Sequence, residues 1–206
     1  MNKIWDIYLR IFHWFLVSSV AFTIFIANEN TELHYQTAKF ITFLLIFRIL
    51  WGFVGSYNAK FINFLPTPKN IKNYLAGKYT KKGHSPIGAL SVFAMLGLLL
   101  LQLTLGLFTT DEILFEAPFY GFIDTNLQEL FQNLHMVIGE IIVFIILFHI
   151  LAIIISKIRG KNLVKDMVDG GIDFIDNQHK QLHLRAFFSA IISLSFVYLI
   201  FYINLV

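Results

Sequence analysis

The chain has 206 residues, of which 57% are hydrophobic and only 14% charged, with a mean hydropathy of +0.68. A soluble domain carries roughly a quarter charged residues, so this composition belongs to a membrane protein. There is no cysteine, which excludes disulfides, thiolate-held iron–sulfur clusters and covalent haem attachment through C-x-x-C-H.

Five apolar stretches are long enough to cross a bilayer as helices, which takes about 20 residues each. They are expected near 8–27, 35–55, 87–108, 133–156 and 184–204. The first follows Lys3 and Arg10 as a signal peptide would. No small-residue cleavage site comes after it and a second span follows at once, so it reads as a permanent helix. Between spans two and three, TPKNIKNYLAGKY reads as a short amphipathic helix on the membrane surface beside anionic lipid. Its bases form no groove-reading motif, so no nucleic-acid partner is expected. Ser85 and Pro86 are the expected N-cap and first residue of span three. The whole chain, 1–206, reads as one all-α integral membrane bundle, with a four-helix core and a fifth helix at the C-terminal end.

Charge sets the orientation. The segment between Tyr57 and His84 carries Lys60, Lys69, Lys72, Lys78, Lys81 and Lys82. The segment after span four carries Lys157, Arg159, Lys161, Lys165 and Lys180, with Arg185 at the foot of span five. The connections at the other ends hold Glu29 and Glu32, then Asp111, Glu112, Glu116, Asp124 and Glu129, without a base. Lys- and Arg-rich loops stay in the cytoplasm, so the N-terminus is expected inside a bacterial inner membrane, and the basic loops with it. Lys39 is the exception; it reads either as a cationic partner for an anionic group at the outer side or as a boundary lysine.

An ionisable side chain at membrane depth is a functional candidate by default. His34 opens span two and His135 opens span four, both at the outer side; His13 and His149 lie toward the inner side. His135 and His149 are fourteen residues apart, a rise of about 21 Å through almost four whole turns, so they share a helix face at different depths. Zinc wants three or four ligands in one small volume, whereas a haem supplies four nitrogens itself and needs only axial donors. The pattern therefore points to two non-covalent b-type haems, His34 and His135 serving the outer one, His13 and His149 the inner one. Ala38 and Gly139 follow the outer histidines by four residues, on the same helix faces, and Gly97 and Gly106 lie in span three, all small enough to admit a flat macrocycle. Arg48, fourteen residues after His34, reads either as a bidentate partner of the inner-haem propionates or as an arginine snorkelling to the interface.

The stretches WDIYLRIFHWFLV, LHYQTAKFITFLLIFRILWGFVGSYNAKF, GHSPIGA and LHMVIG…LFHILA resemble the bacterial cytochrome b561 / Ni-hydrogenase b-type cytochrome family over most of the chain. Many members have glycine where Ala38 stands. The resemblance implies a bundle with two b-type haems whose axial histidines match His13, His34, His135 and His149. It implies electron transfer between a quinone pool and a redox partner, a periplasmic hydrogenase subunit or c-type cytochrome, in a respiratory chain. The acidic segment 109–133 is a candidate docking surface for that partner. A stand-alone quinol oxidoreductase and a haem-free transporter or anchor are the alternatives. An electron-transfer subunit is preferred to an enzyme in its own right.

Four further groups stand apart. His84 reads either as a partner of an inner-haem propionate or lining of a quinone pocket, or, preferably, as a solvated loop histidine or helix-start donor. His179 and His183 have an i, i+4 spacing that can bind metal, without an evident third ligand, and read as a solvated cytoplasmic face. Glu140, inside span four and about opposite the histidine face, reads either as a proton acceptor in quinone chemistry or, preferably, as a carboxyl bonded to a neighbouring helix.

Overall fold

The computed structural model describes residues 3–26, 30–80, 83–110, 116–171 and 182–202. Its long helices are α1 (Ile7–Ile26), α2 (Thr31–Val54), α5 (Pro86–Gly106), α6 (Thr125–Ile158) and α8 (Leu182–Tyr202), and each is long and apolar enough to cross a membrane. Short helices α3 (Phe61–Phe64), α4 (Pro68–Leu75) and α7 (Leu163–Asp169) lie at the basic ends of the spans, and a 3-10 turn, Tyr120–Phe122, precedes α6. Helices dominate because no water at membrane depth can satisfy a backbone amide left outside a helix.

The helix starts follow from side-chain caps. Ser85 accepts from the Gly88 amide at 3.1 Å with Pro86 in the first turn, as the sequence predicts. Thr67 accepts from the Asn70 amide and Pro68 opens α4, whose Ile71, Tyr74 and Leu75 share one side. Asp124 accepts from the Asn126 and Leu127 amides and so starts α6 at Thr125, eight residues before the expected span. The last part of the acidic segment is therefore helix. At 34 residues α6 is about 51 Å long, well beyond a hydrocarbon core of about 30 Å.

α2 is the centre of the bundle. It packs closely on α1 and α8 and more lightly on α5, which pairs with α6. Leu44, Leu45, Phe47 and Trp51 of α2 close against Leu9 and Phe12 of α1, Leu96 of α5, and Leu182 and Ala186 of α8. The fifth span gains a role here. Leu182, Ala186, Ser189 and Ser193, spaced by three or four residues, form its buried seam. Ser193 is fully enclosed and turns its hydroxyl back to the Ser189 carbonyl at 2.7 Å, so the seam is close-packed and satisfied. α6, by contrast, buries only Ile142.

The basic end is held by polar bonds. Asp6, 5% exposed, accepts from the Leu9 amide at 2.9 Å, from Trp51 Nε1 at 3.1 and 3.2 Å, and from Ser56 Oγ at 2.5 Å. One carboxylate thus caps α1 and ties it to the end of α2. Lys3, Arg10 and Trp14 donate to the carbonyls of Asp169, Val168 and Met167, which brings cationic donors to the negative end of α7.

Candidate haem-binding site

The four span histidines come together as two pairs on different helices. His34, in the first turns of α2, and His135, on α6, have ring centroids 6.2 Å apart and planes at 72°. A metal–imidazole bond is about 2 Å and the ring centre lies roughly 1 Å further back, so two imidazoles on opposite sides of one metal have centres about 6 Å apart. The acidic-end pair fits one iron. At the other end, His13 of α1 lies within electrostatic reach of His149 of α6, and its ring stands edge-on to Trp14 at 5.2 Å. Nδ1 of His13 and Nδ1 of His34 are buried without a hydrogen-bond partner. Imidazoles brought together in apolar surroundings with orphaned nitrogens suit metal ligation better than packing. Among the described residues no three His, Cys, Asp or Glu side chains converge on a point, so the arrangement is one of axial pairs.

Among the described residues, His135 is the one of the four with hydrogen-bond partners. Its Nδ1 lies 3.0 Å from the main-chain carbonyl of Gln102 on α5, and its Nε2 lies 3.3 Å from the Gln102 amide nitrogen. A carbonyl only accepts, so Nδ1 carries the proton and the Nε2 lone pair accepts from the Gln102 amide, which would yield it to a metal. Gly106 makes this contact possible, and Gly139 lies beside it. A Cβ on Gly106, one turn after Gln102, would meet His135 Cε1 at 2.9 Å, and one on Gly139, one turn after His135, would meet Gln102 Nε2 at 3.4 Å. Gly106 therefore makes room for an imidazole rather than directly for a macrocycle. Gly97 faces open space, with nothing within 4 Å of its Cβ position.

Arg48 is 2% exposed and does not snorkel. Its Nη1 donates to the Ala59 carbonyl at 3.2 Å and its guanidinium lies 4.6 Å over the Phe61 ring. Asp6 and His84 both feel its charge. His84 is not a solvated loop residue. Its ring packs 4.6 Å from Trp5 and stacks 4.3 Å from Phe64, with Nδ1 buried and unpartnered. Burial, reinforced by the Arg48 charge, pushes it down to about 4. The sequence reading missed Asp6, Ser56 and Trp51 as a cluster, because they meet across 50 residues of chain and carry no local motif.

The remaining candidates resolve locally. Lys39 Nζ sits 4.2 Å from the Tyr35 ring centre, 4.8 Å from Tyr202 and 5.9 Å from Phe201, an aromatic cage joining α2 to α8. That gives the single basic residue at the acidic end a local role. His183 Nδ1 pairs with the Tyr8 hydroxyl at 2.5 Å, while His179 lies outside the described residues. Glu140 is exposed on α6 and makes no hydrogen bond or ion pair among the described residues, which corrects its reading as a carboxyl bonded to a neighbouring helix.

A family model described as prokaryotic cytochrome b561 matches residues 4–170, from the start of α1 to the end of α7. No curated protein and no solved structure matches the chain. Five membrane-length helices and a match over most of the sequence lead to one conclusion: the chain belongs to the prokaryotic cytochrome b561 family, b-type cytochromes of the membrane that transfer electrons.

Proposed function

We propose that the chain is a diheme cytochrome b of a bacterial inner membrane, relaying electrons between the quinone pool and a periplasmic redox partner such as a hydrogenase subunit or c-type cytochrome. The observation that carries this reading is the sharing of α6 by two histidine pairs, with His135 facing His34 and His149 coupled to His13. His34 and His135 would hold one haem, and His13 and His149 the other. Bound haem would supply one-electron exchange between ferrous and ferric iron. The chain's own contribution is to place, orient and insulate the relay groups. Arg48 supplies a buried positive charge at the basic end; its planar fork has five donors, suited to the propionates of the inner haem.

At the acidic end, Glu116, Asp124 and Glu129 stand beside exposed Phe122 and Leu130, a mixed surface suited to a redox protein with a basic patch. The reading is tested by pyridine haemochrome quantitation of the purified protein, with two haems per chain expected. His135→Ala and His13→Ala are each expected to lose one haem. If His135→Ala retains two, the ligand scheme is wrong. Addition of quinol to the purified protein is expected to reduce the haems without another subunit, whereas onward transfer to a small acceptor without that subunit points to the stand-alone oxidoreductase.

A further inference from the structure

The four histidines are not equivalent. His13 and His34 leave Nδ1 buried without a partner, and His149 makes no hydrogen bond among the described residues. His135 alone is engaged at both ring nitrogens, and by one residue: the carbonyl of Gln102 at 3.0 Å on Nδ1 and its amide nitrogen at 3.3 Å on Nε2. The glycines are reciprocal. Gly106 stands four residues after Gln102 and makes room for the His135 ring; Gly139 stands four residues after His135 and receives the Gln102 carboxamide. The other amide atom, Gln102 Oε1, is buried with no donor. An unpaired buried acceptor costs free energy, so its retention beside a ligating nitrogen calls for a reason.

We propose that the Gln102 carboxamide is the positioning group of the acidic-end haem: beside a main-chain carbonyl that holds the tautomer of His135, it keeps the Nε2 lone pair in place until haem takes it and then sets the polarity next to the ligating nitrogen. The inference rests on His135 being an axial ligand, as proposed above. A main-chain acceptor on Nδ1–H makes an imidazole a stronger donor to iron and favours the ferric state. The carboxamide dipole adds a local field in a medium of low dielectric. Neither effect reaches the basic-end pair, which lies about 21 Å further along α6. The two sites are therefore tuned separately by one residue on one of them.

The test is a redox titration with low-spin ferric EPR on the full chain in nanodiscs, comparing the parent protein with Gln102→Met and Gln102→Leu. Gln102→Met keeps the length and removes the amide; Gln102→Leu removes the amide with a shorter, branched side chain. Both variants are expected to keep two haems per chain, to move the midpoint potential and EPR signal of one haem, and to leave the other unchanged. The haem that moves should be the one missing in His135→Ala. Unchanged potentials and signals in both variants, or equal movement of both haems, would overturn the role of Gln102 while leaving the ligand scheme intact. Two haems in His135→Ala would overturn the ligand scheme itself.

Discussion

Gly106 and His135 touch where a methyl group would not fit: a Cβ at Gly106 would lie 2.9 Å from His135 Cε1. The obstructing atom belongs to a ring held by two contacts with Gln102, so the imidazole cannot step aside without losing them. Gly106→Ala is expected to turn His135 out of line with His34 and to reduce haem content from the proposed two per chain toward one. Pyridine haemochrome quantitation reads this directly. Full content in the variant would mean that the ring has slack that the geometry denies.

Asp6 satisfies three donors from a position 5% exposed. Asp6→Ala leaves the Trp51 indole, the Ser56 hydroxyl and the start of α1 without an acceptor, and leaves Arg48 without a nearby counter-charge. The expected destabilisation is about 3 kcal/mol or more. Asp6→Asn keeps part of the acceptor set and should cost about half as much. Thermal unfolding in detergent measures both, and a shift of less than about 1 kcal/mol in the alanine variant contradicts the clamp.

His84 makes stability sensitive to acid. Its folded value, about 4, lies below the ordinary 6.5, so above pH 6.5 it is neutral in both states and contributes no pH dependence. As pH falls from 6.5 toward 4 the unfolded chain takes up a proton that the folded chain refuses, and stability drops by on the order of 3 kcal/mol in all. His84→Gln should flatten that window. An unchanged slope between pH 6.5 and 4 in the variant would assign the acid sensitivity elsewhere.

Glu140 is a carboxyl on the outward surface of a membrane helix, without a partner among the described residues. Removing a polar group from lipid contact is favourable, so Glu140→Leu is expected to raise stability by about 1–2 kcal/mol and to leave both haems in place. A loss of stability, measured on the protein extracted with native lipids, would show that another membrane component meets this carboxyl.

Much of the molecule was legible in one dimension because bilayer physics acts on local composition. A run of about 20 apolar residues declares a span, Ser85–Pro86 declares a helix start, and the split of lysines from carboxylates orders the ends. The early start of α6 was less visible, since Asp124 lies among residues already assigned to an acidic loop. Lys39 shows the opposite limit. Its exception to the charge pattern was plain in sequence, but the cage that accommodates it comes from Tyr202 and Phe201, more than 160 residues away. His84 likewise looked solvated in GHSPIG, and only the packing of Trp5 and Phe64 around it buries the ring.

By itself, the sequence determined the five spans, the absence of thiol chemistry and the fourteen-residue spacing that puts His135 and His149 on one face, because helix periodicity and transfer into lipid depend on neighbours along the chain. Only the tertiary structure decided that His34 meets His135 at 6.2 Å, that Gln102 serves His135 alone, and that Asp6 gathers Trp51 and Ser56 at the other end. Those relations join residues on different helices, and they depend on how the helices rotate and cross, which no local pattern encodes.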